Sequence, residues 1–155
     1  MTPTKLVLAS ASPRRSQILK QLGLKFFVCA ADVSEELLPE ESTSEYVVRL
    51  SLDKALKIQE RYSDAIVIGG DTIVWTGKEI LGKPSDEKQA LEMLLRLSGR
   101  THRVFSGLTV ALPSGKIVSD FASTEVRFRS FGREFAEAYV ATGEPMDKAG
   151  AYGIQ

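Results

Sequence analysis

The sequence LVLASASPRR, residues 6–15, contains a short apolar run that is followed at once by a polar turn. The apolar residues 6–9 are rich in strand formers and predict a buried strand. Ser12 is a favourable helix N-cap, and Pro13 suits the first helical position, where no N–H is needed. This stretch therefore predicts a strand, a tight turn and a helix.

Two adjacent arginines, Arg14 and Arg15, fall in the first turn of that helix. A cation is unfavourable there, because the free N–H groups already make the helix N-terminus positive. A bound anion would explain both: the hydroxyls of Ser10 and Ser12, the backbone N–H groups and two guanidiniums would converge on a phosphate or pyrophosphate. On this stretch alone, two surface arginines that happen to follow a cap remain an equal alternative.

Composition limits the classes of protein to consider. The 155 residues fit one domain, or two small lobes around one cleft. Twenty basic and twenty acidic residues give a net charge of zero, which disfavours a nucleic-acid binder. No apolar run approaches the roughly 18 residues that span a bilayer. Cys29 is the only cysteine and cannot form an internal disulfide, so we expect a cytoplasmic protein without membrane partners.

The rest of the chain alternates between helical and extended patterns. Helices alternate with strands in the first half, and antiparallel strands follow. This order predicts an α/β fold with a mixed sheet and helices on its faces. In the first half we predict strands at 6–9, 24–30 and 65–68, with helices at 13–22 and from the capping box at 42–45 to 61. The strand at 65–68 is predicted to end in a turn at 69–72. Beyond that turn we predict strands at 73–75 and 79–81, a helix from 85 or 86 to 97, strands at 103–112 and 116–128, and a helix from 130.

Polar side chains gather where the predicted strands end, which is where ligands bind in open α/β sheets. The carboxylate oxygens among them are ligands that suit Mg²⁺ or Mn²⁺, and the lysine and arginine side chains would neutralise phosphate oxygens. The set fits metal-assisted attack of water on a phosphoanhydride. It consists of Ser10, Ser12, Arg14 and Arg15 after the first strand, Glu35 and Glu36 after the second, Lys54 in the second helix, Asp71 and Thr72 after the third strand, and Lys83 after the hairpin.

Each of these features also has a structural interpretation. Gly69-Gly70-Asp71-Thr72 is typical of a turn at the end of a strand, and the acidic run is typical of a solvated loop. Lys54 is one of several helix lysines. His102, the only histidine, lacks a second His or Cys as co-ligand and is interpreted as structural or solvent-facing. Phosphate-binding P-loops, dinucleotide-binding glycine motifs and serine-hydrolase elbows are absent from the sequence.

Five blocks of this sequence resemble the Maf, or septum-formation-inhibitor-like, nucleoside triphosphate pyrophosphatases. They are LASASPRR at 8–15, GGDT at 69–72, LGKP at 81–84, LSGRTH at 97–102 and EPMDKAGAYGIQ at 144–155. The resemblance spans the whole chain in order. It implies an elongated, twisted mixed sheet with flanking helices and two lobes around a cleft, an architecture of the Maf/ITPase type.

The resemblance also implies an activity, a cofactor and site residues. A nucleoside triphosphate would be hydrolysed to the monophosphate and pyrophosphate with a divalent cation, Mg²⁺ or Mn²⁺. Asp71 would accept the proton or orient the attacking water, and Glu35 and Asp71 would hold the metal. The phosphates would be held by Ser10, Arg14, Arg15, Lys54 and Lys83.

Within the family, this sequence resembles the branch that acts on dTTP and UTP rather than the sister branch that acts on 7-methyl-GTP. Arg14, Thr72 and Gln155 would then determine specificity, and the amide of Gln155 could pair with a pyrimidine edge. Modified pyrimidine nucleotides are further candidate substrates. The implied cellular role is the removal of non-standard or excess nucleotides.

Residues 1–155 are expected to form a single Maf-like domain that lacks the family's C-terminal strands and helix. The sheet edge exposed there would favour pairing with a partner, which leaves a homodimer open. Two other functions also remain open at this point. One is a catalytically impaired nucleotide or nucleic-acid binding module linked to cell-division control, and the other is a phosphatase or kinase of another α/β class.

Overall fold

The computed structural model describes residues 5–154 and shows an α/β fold. The alternation of helices and strands expected for the first half is confirmed, as is the hairpin that follows. None of the helices in these residues is long and apolar enough to cross a membrane. The elements are β1 (Leu6–Leu8), α1 (Pro13–Gln21), β2 (Phe27–Val28), α2 (Thr43–Gln59), β3 (Ile66–Trp75), β4 (Ile80–Leu81), α3 (Glu87–Leu97), β5 (Thr101–Ala111), β6 (Ile117–Arg127), α4 (Arg133–Ala141) and two short 3-10 helices (Glu144–Asp147 and Ala149–Ala151).

The six strands form one mixed sheet in the order β2-β1-β3-β5-β6, with β4 paired to β3. Strand β1 runs parallel to both neighbours, so that Leu8 pairs with Val28 on one side and Ile68 on the other. Strands β3 and β4 are antiparallel. The hydrogen bond from Leu112 N to Lys116 O (2.9 Å) closes the hairpin between β5 and β6. The predicted mixed sheet is therefore confirmed.

The prediction that β3 ends in a turn at residues 69–72 is wrong. These residues continue the strand to Trp75, so Asp71 and Thr72 lie inside β3 rather than after it. The position of helix α2 explains why residue 69 is a glycine. A Cβ on Gly69 would lie 2.1 Å from the backbone oxygen of Ser51 and 2.9 Å from the nitrogen of Ala55. Glycine is present because the backbone of α2 lies directly against the strand, and the chain does not turn there.

The chain divides into two compact units. The first comprises residues 1–71 and 106–122, and its described part contains β1, α1, β2 and α2. The N-terminal signals of both helices are confirmed: Ser12 caps α1, and the capping box of Ser42 and Glu45 begins α2. The apolar stripe of α2 packs on the strands. The core of this unit includes a cluster of Val7, Ala9, Ala55, Ile58, Ala65, Val67 and Ala111.

The second unit comprises residues 72–105 and 123–155, with α3 and α4 among its described elements. Its core contains Val74 and Leu81 from the strands, the apolar face of α3, and Tyr152 near the C-terminal end of the described chain. His102 is only 3% exposed in this unit. Its Nε2 lies 2.6 Å from the hydroxyl of Tyr152, and its Nδ1 has no hydrogen-bond partner within residues 5–154. Of the two interpretations offered for His102, structural or solvent-facing, the second is excluded because the side chain is buried in the core of this unit.

This histidine should make stability depend on pH. Burial lowers the pKa of His102 below its ordinary 6.5, so the folded state favours the neutral ring. The stability that neutral His102 contributes is then complete above about pH 6.5 and is lost as the pH falls below that value and through the lower pKa of the folded state. One proton limits the slope to about 1.4 kcal/mol per pH unit. We expect urea unfolding to show a loss of stability from pH 7.5 to pH 5, with a His102 contribution to the slope that stays below this limit.

The variant His102→Gln supplies the control, because its amide can still bond Tyr152 but does not titrate. The difference in unfolding free energy between wild type and variant should shrink as the pH falls. A difference that stays constant from pH 7.5 to 5 would contradict the prediction.

Candidate active site

The turn after β1 is organised by Ser10, Ser12 and Arg15. The hydroxyl of Ser12 accepts a bond from Arg15 N, as an N-cap does, and Pro13 is the first helical residue. Ser10 is 7% exposed, and its hydroxyl accepts bonds from Ser12 N (3.2 Å) and from Arg15 Nη1 (2.8 Å). Arg14, which precedes Arg15 in α1, is half-buried. The turn thus presents backbone N–H groups, hydroxyls and two guanidiniums, which is the chemistry an anion needs.

Arg15 also lies against β3. A Cβ on Gly70 would be 3.0 Å from Arg15 Nε and 3.3 Å from its Cδ, so the absence of a side chain at Gly70 leaves room for the arginine. Burial lowers the pKa of Arg15, and the charge of Asp71 opposes that shift. The Arg15 guanidinium therefore interacts electrostatically with the carboxylate of Asp71, which follows Gly70 on β3. Arg15 joins the turn after β1 to the middle of β3.

A lysine and two carboxylates form the centre of the site. Lys54 Nζ donates to Asp71 Oδ1 at 2.6 Å and to Glu35 Oε1 at 2.9 Å. The side chains of Lys54 and Asp71 are only 11% and 10% exposed, whereas that of Glu35 is 62% exposed. A buried charge is costly unless it is paired, and here each buried charge has its counterpart. Three residues from a loop, a helix and a strand are thereby brought together.

The shared environment of this cluster shifts the pKa values of Asp71 and Lys54. Burial raises the pKa of the Asp71 carboxyl, although the charge and hydrogen bond of Lys54 oppose the shift. For Lys54, burial alone would lower the pKa, but the charges of Asp71 and Glu35 outweigh it and raise the pKa. The lysine therefore stays protonated while the carboxyl becomes a better proton acceptor than an exposed aspartate. Such opposed environments are typical of catalytic groups.

The two carboxylates of the cluster have the donor chemistry that a divalent cation requires. Within residues 5–154, no group of three or more His, Cys, Asp or Glu side chains is placed to hold a metal ion. Glu35 and Asp71 nevertheless both contact Lys54 Nζ, so their oxygens lie close enough to approach one cation. Mg²⁺ is commonly held by one or two protein carboxylates together with substrate phosphates. These two residues match that pattern.

Three further residues predicted for the site, Thr72, Lys83 and Gln155, are not part of the described first unit. Thr72 and Lys83 belong to the second unit, Thr72 in β3 and Lys83 exposed in the loop after β4. Gln155 lies outside the described residues. Sequence reasoning missed Tyr46 and Arg49 of α2, whose side chains bond the loop that carries Glu35. Tyr46 lies on the buried side of α2, and a buried phenol requires a hydrogen-bond partner, which is the signal that could have found it.

The family follows from the sequence profile of Maf-like proteins, which matches residues 5–155. This chain belongs to the Maf family. A dTTP/UTP pyrophosphatase of Symbiobacterium thermophilum is 48% identical over 97% of this chain and 77% of the relative. A protein of the same name from Aquifex aeolicus is 46% identical over 97% of this chain and 78% of the relative. The resemblance drawn from the five sequence blocks is therefore confirmed.

Solved structures agree on the fold of this Maf-family chain. The Ham1 protein of Staphylococcus aureus superposes with a TM-score of 0.52 at 15% identity, over 80% of this chain and 71% of that chain. Similarity at such low identity concerns architecture alone. It confirms the expected Maf/ITPase type of α/β fold.

Proposed function

We propose that this Maf-family chain hydrolyses nucleoside triphosphates, dTTP and UTP foremost, to the monophosphate and pyrophosphate. The observation that carries the proposal is the buried pair of Asp71 and Lys54, joined by Glu35 and flanked by Arg15. It combines a proton acceptor, cations for phosphate oxygens and carboxylates for a metal. The names of the relatives, dTTP/UTP pyrophosphatase, support this choice of substrate.

The proposed reaction breaks the anhydride bond between the α- and β-phosphates. The water oxygen forms the new bond to the α-phosphorus, one proton of the water passes to the carboxylate of Asp71, and pyrophosphate leaves with the bridging oxygen. Lys54 keeps Asp71 oriented through the 2.6 Å bond. A divalent cation, Mg²⁺ or Mn²⁺, would be held by Glu35 and Asp71 and would supply charge neutralisation for the phosphates when bound.

Phosphate binding is assigned to the turn after β1 and to the lysines. Ser10 and Arg15 are already bonded to each other, so the guanidinium is held in place before an anion arrives. We propose that Arg14 and Lys83 also bind the phosphates, a role that the family resemblance implies. Arg14, Thr72 and Gln155 are proposed to distinguish pyrimidine nucleotides from others.

Product analysis tests this function. We expect the chain with Mg²⁺ or Mn²⁺ to release pyrophosphate and monophosphate from dTTP and UTP, with lower turnover of dATP, GTP and CTP. Chromatography separates nucleoside monophosphate from diphosphate, and separate assays quantify pyrophosphate and orthophosphate. Release of orthophosphate with nucleoside diphosphate would indicate a phosphatase. Salt-dependent DNA binding without turnover would indicate the binding module instead.

A further inference from the structure

The loop that carries Glu35 has no regular secondary structure of its own. Residues 32–41 connect β2 to α2 without entering a helix or strand. Glu35 projects from it with a side chain that is 62% exposed. An exposed carboxylate on such a loop would lose considerable conformational freedom when it binds a cation. Whatever fixes the loop beforehand therefore reduces the cost of binding.

Tyr46 fixes the loop at Glu35 itself. Its hydroxyl donates to the backbone carbonyl oxygen of Glu35 at 2.6 Å. The tyrosine is only 7% exposed and lies in the N-terminal part of α2, so its ring is held by the core. The donor therefore has a defined position. The bond restrains the backbone atom from which the Glu35 side chain departs.

Arg49, three residues further along α2, fixes the neighbouring part of the loop. Its Nη2 donates to the carbonyl oxygen of Glu36 at 3.0 Å. The same guanidinium binds both carboxylate oxygens of Glu41, and Glu41 Oε2 in turn accepts from Leu38 N at 3.1 Å. The guanidinium carbon lies 5.4 Å from the centre of the Tyr46 ring. Two side chains on one helix face thus hold successive carbonyls of the loop.

We propose that Tyr46 and Arg49 are positioning residues that fix Glu35 and thereby set the affinity of the site for the metal–nucleotide complex. They act through the backbone of residues 35 and 36 and touch neither metal nor substrate. This inference rests on the proposed function, in which Glu35 is a metal ligand. Because Lys54 and Asp71 come from a helix and a strand, Glu35 is the member of the cluster that needs such support.

The test is calorimetric binding of α,β-imido-dUTP, a nucleotide with the susceptible bridge blocked, in the presence of Mn²⁺ and separately in EDTA. Tyr46→Phe removes only the hydroxyl, and Arg49→Lys keeps the charge but loses the planar fork. We expect each variant to bind the Mn²⁺ complex about fivefold more weakly, in line with the loss of one or two hydrogen bonds. Binding in EDTA should be unchanged. Raising Mn²⁺ to saturation should restore turnover.

Ser51→Ala is the matched control, because it removes a buried hydroxyl from the same helix without a bond to the loop. It should lower the melting temperature and leave the affinity for the Mn²⁺ complex within twofold. Tyr46→Phe and Arg49→Lys with wild-type affinity would overturn the positioning role. Equal weakening in EDTA would overturn it too, because the loss would not depend on the metal.

Glu35→Gln separates this inference from the proposed function. If it weakens the Mn²⁺ complex while Tyr46→Phe and Arg49→Lys do not, only the positioning role fails. If Glu35→Gln binds the complex like wild type, or if wild type does not bind it, the metal role of Glu35 fails and the positioning role with it. Pyrophosphate release from dTTP then decides separately whether the hydrolase activity stands.

Discussion

Asp71→Asn is expected to reduce pyrophosphate release from dTTP or UTP by about 10²–10⁴-fold, the usual contribution of a positioned general base. The substitution keeps the shape of the side chain and its place in β3 but removes the proton acceptor. Lys54 retains Glu35 as a partner, so the fold should persist. Steady-state kinetics at saturating Mg²⁺ measure the loss, and circular dichroism checks the fold.

Asp64→Asn is a suitable control for Asp71→Asn. Asp64 also pairs with a lysine, Lys5, at 3.0 Å, but its side chain is 67% exposed at the surface of the first unit. This variant should retain full activity. If Asp71→Asn kept more than a third of wild-type turnover, Asp71 could not be the proton acceptor, and another group would have to be sought.

Gly69→Ala is expected to have the largest effect on stability. The new Cβ would lie 2.1 Å from the backbone oxygen of Ser51 and 3.0 Å from the Cβ of Ala55. Neither atom can move without displacing α2 from the sheet. We expect a loss of about 3 kcal/mol in the free energy of unfolding, which lowers the melting temperature of a protein this size by about 6–12 °C.

Differential scanning calorimetry would measure that loss. Gly82→Ala is the matched control, since a Cβ there meets no atom within 4 Å and its φ lies outside the left-handed region. It should be neutral or slightly stabilising, because alanine reduces the freedom of the unfolded chain. A melting temperature of Gly69→Ala within 2 °C of wild type would show that α2 and β3 separate more easily than their contact indicates.

Displacement of α2 in Gly69→Ala should also reach the site. Lys54 lies on α2 next to Ala55, one of the residues whose atoms the new Cβ meets. The bond from Lys54 to Asp71 spans only 2.6 Å, so a small shift of the helix breaks or lengthens it. Activity and stability are therefore coupled in the first unit through the same helix–strand contact.

Several features of the fold were predictable because their signals lie within a few residues. Ser12 with Pro13 defines the start of α1, and Ser42 with Glu45 defines the start of α2. The buried residues of α2, including Tyr46 and Ile58, recur at helical spacing in the sequence. The prediction of a turn at 69–72 was wrong. In the sequence a Gly-Gly pair indicates a turn, but in the folded protein Gly69 allows the backbones of α2 and β3 to approach each other closely.

The sequence by itself determined the class of fold, the family and the kinds of side chain available for phosphate and metal chemistry. Only the tertiary structure decided which of them meet: Lys54 reaches Asp71, 17 residues away, and Glu35, 19 residues away, and Arg15 lies on Gly70. The physical reason is that caps and periodicity act between near neighbours along the chain. Asp71 becomes buried and paired with Lys54, and its pKa is raised, only when α2 packs against β3 and excludes water from between them.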